Sequence, residues 1–171
     1  MTDAPPLQIR ELRSAEEARA LGELTVEAYM GLAGLAPGSP YLDELGDVER
    51  RAATAVVLVA ADATGRLAGG VTYVPGLGPY AEFDDADDAG LRMLAVAPAY
   101  RGRGVGTALV QACVDRARAE GRRRLWLHTT EEMAGAQRIY ARLGFRRAPE
   151  ADLHLADLHL LAYVRDLSGA G

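Results

Sequence analysis

The sequence predicts a mixed α/β fold whose single sheet combines antiparallel hairpin pairing with one parallel crossover. Three observations carry this. Two apolar, β-branched runs, Val56 to Ala60 and Leu67 to Val74, flank the turn-forming Asp62-Ala63-Thr64-Gly65 and read as a buried hairpin. Leu91 to Val96 and Arg124 to His128 read as strands with one helix between them, a βαβ unit. The two later helical stretches end at Gly121 and Gly144, the residue type that most readily terminates a helix.

In chain order, Gln8 to Arg10 reads as a short strand, and Ser14 begins a helix that runs to Met30. Ser14 and Glu17 have capping-box spacing, and Ala18, Leu21, Leu24 and Ala28 form the apolar stripe. Gly31 to Pro40 reads as a loop, and helix resumes over Leu42 to Ala52. After the hairpin, Pro75 to Pro79 breaks the pattern, and the carboxylates between Glu82 and Asp88 predict an exposed acidic loop.

Pro98 stops the Leu91 strand, and Arg101 to Gly106 leads into a helix that reaches Glu120, with Val105, Leu109, Ala112, Cys113 and Arg116 on its inner side. A helix over Glu131 to Leu143 and a short strand over Phe145 to Arg147 follow, and Leu160 to Val164 closes the tail as a strand. Ala151-Asp152-Leu153-His154-Leu155 is repeated in Ala156 to Leu160; on one straight strand that odd step would send His154 and His159 to opposite faces.

Composition bounds the function. With 171 residues, 49% hydrophobic and 25% charged, residues 1–171 predict a single domain. A net charge of -5 argues against a nucleic-acid partner. No apolar run approaches the roughly 20 residues of a membrane span, and Met1 to Arg10 lacks the apolar block of a secretory signal. Cys113 is the only cysteine, which excludes an internal disulfide and predicts a reducing, cytoplasmic setting. Every basic residue is arginine, so a Walker-type phosphate loop and a lysine Schiff base are both excluded.

Arg101-Gly102-Arg103-Gly104-Val105-Gly106-Thr107 joins a strand to a helix. Glycines there allow close approach of a bulky anion, the unpaired amides of the first helical turn bind phosphate, and arginines add charge-assisted donors. A pyrophosphate-bearing ligand is one reading of this segment and a plain tight turn is the other. A dinucleotide fingerprint would want glycine at Thr107 and an acidic residue about 20 positions on, and this sequence has neither in the right context.

The whole stretch from Arg92 to Leu109 resembles the acetyl-coenzyme A signature of the GNAT N-acetyltransferase superfamily, with Arg101, Gly104 and Gly106 at its defining places. Ala136-Gln137-Arg138-Ile139-Tyr140-Ala141-Arg142-Leu143-Gly144-Phe145 is similar to the superfamily's second signature. The resemblance implies a splayed, mostly antiparallel sheet of about seven strands flanked by helices. It also implies a coenzyme-binding core over about residues 91–145, with acceptor-side helices and a loop over about 14–52.

By the same resemblance, Leu94, Ala95 and Val96 would hydrogen-bond the pantetheine arm as an added strand. Arg101, Gly102, Arg103, Gly104, Val105, Gly106 and Thr107 would cradle the pyrophosphate. Tyr140 would sit at the coenzyme and act as the acid for the departing thiolate, its phenol still protonated at neutral pH. The activity implied is direct transfer of acetyl from acetyl-CoA to a primary amine of a small molecule or peptide, without metal, by a monomer or homodimer.

The base for the acceptor amine stays unassigned. By the resemblance, many relatives carry a glutamate near the position of Gly90, and an asparagine that contacts the coenzyme where Met133 stands. Glu82, Asp84, Asp85, Asp87 and Asp88 could attract or relay a proton, or form a solvated loop. His128 ends a strand beside the second signature, as either a framework residue or a catalytic one. His154 and His159 do not have metal-site spacing. Trp126 and Cys113 read as packing residues, and Arg122-Arg123-Arg124 as a helix-end cluster or a contact for the adenosine 3'-phosphate. Gly31 to Asp47 reads as an acceptor-side lid. A non-catalytic coenzyme-binding module and a dinucleotide oxidoreductase are the alternatives.

Overall fold

The computed structural model describes residues 6–30, 35–155 and 158–168. Among these residues, eight strands share one sheet. β1 (Gln8–Glu11), β2 (Val56–Ala61), β3 (Leu67–Val74) and β4 (Ala89–Val96) are successive antiparallel neighbours. β4 then pairs parallel with β5 (Arg124–Thr129), and β5 pairs antiparallel with β8 (Leu158–Asp166), which also carries β6 (Arg146–Arg147) and β7 (Leu153–Leu155). The expected hairpin and the single parallel crossover are both present.

Among the described residues, five α-helices cover the sheet: α1 (Ala15–Tyr29), α2 (Pro40–Gly46), α3 (Val48–Ala52), α4 (Val105–Ala119) and α5 (Ala134–Arg142). Ser14 caps α1 by accepting from the Glu17 amide at 3.1 Å, as the capping-box spacing predicts. The helix expected over Leu42 to Ala52 is instead two, because Asp47 leaves helical geometry and turns its carboxylate onto the Arg50 amide, capping α3. α5 starts at Ala134 rather than Glu131, since Met133 lies outside the helical region.

Leu109, Val110, Cys113, Val114 and Ala117 form the buried face of α4 against the sheet. Each large apolar side chain buried this way stabilises the fold by about 1.5–3 kcal/mol. Arg116, expected on that inner side, is half-buried: its guanidinium lies 5.8 Å from the Tyr73 ring centroid and pairs with Glu11 and Glu120. A long arginine stem can cover apolar surface while its head stays wet.

Two irregularities in β4 shape the centre of the sheet. Gly70 faces Ala95 and Thr72 faces Arg92, so two residues of β4, Met93 and Leu94, stand opposite Val71. Met93 has φ 58°, unusual for a non-glycine residue, and the extra residue bends the strand as a β-bulge does. Pairing with β5 is confined to Ala89↔Leu125 and Gly90↔Trp126. Beyond Gly90 the two strands diverge.

The tail folds differently from the single strand expected. β7 and β8 make a hairpin in which His154 faces His159 directly, and the rings stack with centroids 4.5 Å apart. The repeat thus reverses on itself, which puts the two histidines on one face instead of two. Its turn residues 156–157 lie outside the described residues, as do residues 31–34 of the expected lid.

Candidate active site

From Leu91 onward, β4 has no partner on the β5 side among the described residues, so one edge of Leu94, Ala95 and Val96 keeps free backbone donors and acceptors. Such an edge can take an extended, amide-rich ligand as an added strand. Leu94 and Ala95 are buried, and Val96 is partly buried.

The chain then turns through exposed residues 101–104 into α4. Gly102 and Gly104 have φ of 74° and 79°, values that side chains disfavour, and Gly104 caps the helix in the left-handed region with no side-chain bond. Among the described residues, no amide of residues 102–107 donates to a protein acceptor; the first in the helix to do so is Ala108, onto the Gly104 carbonyl at 3.0 Å. Six consecutive free N–H groups at the positive end of a 15-residue helix make an anion cradle. Arg101 and Arg103 are exposed beside it, with no carboxylate pairing either among the described residues, and the Arg103 guanidinium lies over Tyr100.

The start of α4 converges with β4 and α5. A Cβ on Gly106 would lie 3.1 Å from Ile139 Cδ1 and 3.7 Å from Val96 Cγ2. Tyr140, next to Ile139, is 4% exposed and packs against Phe145 and Tyr163 with ring centroids 5.9 and 6.1 Å away. Burial pushes its phenol pKa well above the usual value, so it holds its proton across the physiological range. The expected site residues are therefore brought together where β4, α4 and α5 meet. Cys113 lies in the same core, and burial pushes its thiol up to about 12, the condition of an inert packing residue.

The opposite side of the splay holds a cavity of about 40 Å³. Tyr29 of α1, Tyr41 of α2, Glu82, Arg92 of β4 and His128 of β5 bound it. Burial raises the pKa of both tyrosines, that of Tyr29 strongly. Met133 also lines this cavity.

The acidic segment is only partly the exposed loop expected. Asp88 is fully buried; it accepts hydrogen bonds from Trp126 Nε1 at 2.8 Å and from the Arg124 guanidinium at 3.0–3.3 Å. Asp85 pairs with Arg123 and Asp87 receives the Arg123 amide on its carbonyl, so Arg122 to Arg124 and this loop lock onto each other. Glu82 points inward, with Oε1 3.0 Å from Arg92 Nε and 3.7 Å from His128 Nδ1. Paired guanidinium and indole donors are what allow carboxylates to be buried here.

Sequence reasoning treated Glu82 and His128 separately and passed over Thr129 and Thr130. Nδ1 of His128 and both threonine hydroxyls are buried without a hydrogen-bond partner among the described residues, and all three residues line the cavity. Nothing in residue spacing connects a loop glutamate with a strand-end histidine; only the sheet's closure does. Among the described residues, no group of three or more His, Cys, Asp or Glu converges as a metal site, and no helix is long and apolar enough to cross a membrane.

Comparison with known proteins places this geometry. A model of the acetyltransferase (GNAT) family matches residues 19–145. A mycothiol acetyltransferase of Acidothermus cellulolyticus is 47% identical over 75 residues, 43% of this chain but 22% of that protein. The matched segment thus spans less than a quarter of that relative's length. Among solved structures, a GNAT-family acetyltransferase of Staphylococcus aureus Mu50 superposes with a TM-score of 0.75 at 17% identity, over 95% of this chain and 100% of that one. A Salmonella typhimurium protein solved with its cofactor acetyl-CoA superposes with a TM-score of 0.69 at 21% identity, over 97% and 96%.

Proposed function

The chain belongs to the acetyltransferase (GNAT) family, and from that premise we propose that it is an N-acetyltransferase carrying acetyl from acetyl-CoA directly to a primary amine of a small molecule or peptide. The observation that carries this reading is the pairing of an unpartnered edge on β4 with the free amides of residues 102–107. Together they match the two ends of the coenzyme, amide-rich pantetheine and charged pyrophosphate.

Leu94, Ala95 and Val96 would take the pantetheine arm, and Arg101 to Thr107 the pyrophosphate. Tyr140 would give its proton to the thiolate that departs when the amine nitrogen bonds the acetyl carbon. Residues 1–171 would act as one domain in a reducing cytoplasm, as monomer or homodimer, with no nucleic-acid, membrane or metal partner.

Calorimetry with acetyl-CoA, followed by thiol release on a panel of primary amines, tests this. Saturable binding and amine-dependent thiol release are expected. Binding without turnover on any amine would instead favour a coenzyme-binding module, the reading suggested by Gly90 in place of a strand glutamate.

A further inference from the structure

Resting on that acetyltransferase reading, we propose that the cavity between Glu82 and His128 receives the acceptor's primary ammonium, that His128 Nδ1 takes its first proton, and that Glu82 positions His128 for this task.

The tautomer of His128 is fixed by its partner. Nε2 lies 3.0 Å from the Ala151 carbonyl, which can only accept, so Nε2 carries the hydrogen and neutral Nδ1 presents a lone pair. That nitrogen is buried and on the cavity wall, with no hydrogen-bond partner among the described residues. Thr129 Oγ1 and Thr130 Oγ1 share the condition. Three unsatisfied groups able to accept match the three N–H donors of a primary ammonium, and buried polar groups left unpaired are costly.

A carboxylate cannot come from the strand. A Cβ on Gly90 would lie 2.8 Å from the Phe83 ring, so any side chain there must displace Phe83. The residue before it, Glu82, supplies the carboxylate from the loop, held by Arg92 Nε and facing His128 Nδ1. Once Nδ1 is protonated, its N–H points at that carboxylate and the imidazolium is stabilised.

The charged and titratable groups facing His128 are Glu82 from the loop and Arg92 from β4, with Tyr29 and Tyr41 from α1 and α2 across the cavity and Glu44 behind Arg92. Burial lowers the imidazole pKa, but Glu82 and the Ala151 carbonyl outweigh it and hold the pKa above the ordinary value. Leu158 and Leu160 add apolar wall, which disfavours the charged ammonium and eases release of its proton.

The protons balance. The ammonium gives one proton to Nδ1, the neutral amine bonds the acetyl carbon as the C–S bond breaks, sulfur takes a proton through Tyr140, and the nitrogen's second surplus proton restores the phenol. Amide and free thiol result, and the proton on His128 leaves to solvent. A cavity of about 40 Å³ has room for about three water-sized groups. The cavity therefore admits the ammonium end of a primary amine.

The test uses the whole protein with ¹⁵N-labelled histidine and coenzyme A bound, probed with n-butylamine and with tetramethylammonium, which has no N–H. n-Butylamine should move the His128 Nδ1 resonance and tetramethylammonium should not. In turnover with acetyl-CoA and n-butylamine, His128→Gln should lose about a hundredfold or more in kcat. Glu82→Gln should move the acidic limb of kcat/KM to lower pH, a readout that a structural role leaves in place and that stands if His128→Gln fails to fold. An unmoved Nδ1 resonance, no thiol release with n-butylamine, or an unshifted limb in Glu82→Gln overturns the proposal in a protein that binds coenzyme A. Failure to bind coenzyme A, or binding without thiol release on any amine of the panel, overturns the acetyltransferase reading instead.

Discussion

The Phe83 ring occupies the space into which a side chain on Gly90 would project, its Cε1 2.8 Å and Cδ1 3.2 Å from the position of a Cβ. Gly90 also makes the last pair between β4 and β5 before they part. The contact therefore both excludes a strand carboxylate and seats the acidic loop over the splay. Gly90→Ala should cost about 1–3 kcal/mol through overpacking. Thermal melts of Gly90→Ala, Phe83→Ala and the double variant check this. The double variant should lose less than the sum of the singles, because removing the ring removes the clash.

Gly104 holds φ 79° at the cap of α4, where the free amides gather. An alanine there carries about 1–2 kcal/mol of left-handed strain, which the uncomplexed loop can relieve by shifting. Coenzyme binding must then restore the conformation, so Gly104→Ala should raise the acetyl-CoA Kd about tenfold. Calorimetry on the variant, with thermal stability nearly unchanged, is the expected outcome; an unaltered Kd separates this loop from the pyrophosphate.

Burial leaves the Tyr140 phenol protonated far above neutrality. Tyr140→Phe keeps the ring's packing on Phe145 and Tyr163 and removes only the donor. Turnover should fall by about 100-fold or more while acetyl-CoA affinity changes little. Stopped-flow acetyl transfer alongside calorimetry separates the two quantities, and equal losses in both would reassign Tyr140 to coenzyme binding.

Asp88 joins the acidic loop to β5 through Arg124 and Trp126. Removing its carboxylate leaves the indole N–H without its acceptor, so Asp88→Ala should cost about 1–3 kcal/mol. Urea unfolding followed by Trp126 fluorescence reads both the loss and its place. Asp88→Asn, which still accepts, should lose less.

The sheet was legible because hydrophobic runs and glycine stops are local signals: Val56 to Ala60, Leu67 to Val74 and Gly121 each announce their role within a few residues. The strand-to-helix turn over Arg101 to Thr107 was legible for the same reason, being one contiguous segment. The Glu82 and His128 pairing was not, since the partners are 46 positions apart and their approach depends on the parallel β4–β5 join. The hairpin of β7 and β8 was hidden by composition. An exact repeat favours neither a straight strand nor a reversal, and the side-chain anchor that decides it, Asp152, reaches across to Arg147 and the Ala162 amide.

Asp152 ties that tail to the cavity. Its oxygens accept from Arg147 Nη1 and Nη2 at 2.6 and 2.7 Å, from the Ala162 amide at 2.8 Å and from His159 Nε2 at 2.9 Å, fixing the start of β8 that carries Leu158 and Leu160. The Arg147 guanidinium, with the Ala162 amide and His159, holds the carboxyl well below the usual carboxylate range. A depressed folded pKa contributes stability that is complete above the unfolded value near 3.9 and fades as pH falls below it toward the folded value. Asp152→Asn should therefore be less stable than the parent at neutral pH, with the gap closing as pH drops below about 4. Denaturant midpoints of both proteins from pH 7 to pH 2.5 check the sign, and a gap that stays constant with pH would show that the carboxylate's charge contributes nothing to holding β8.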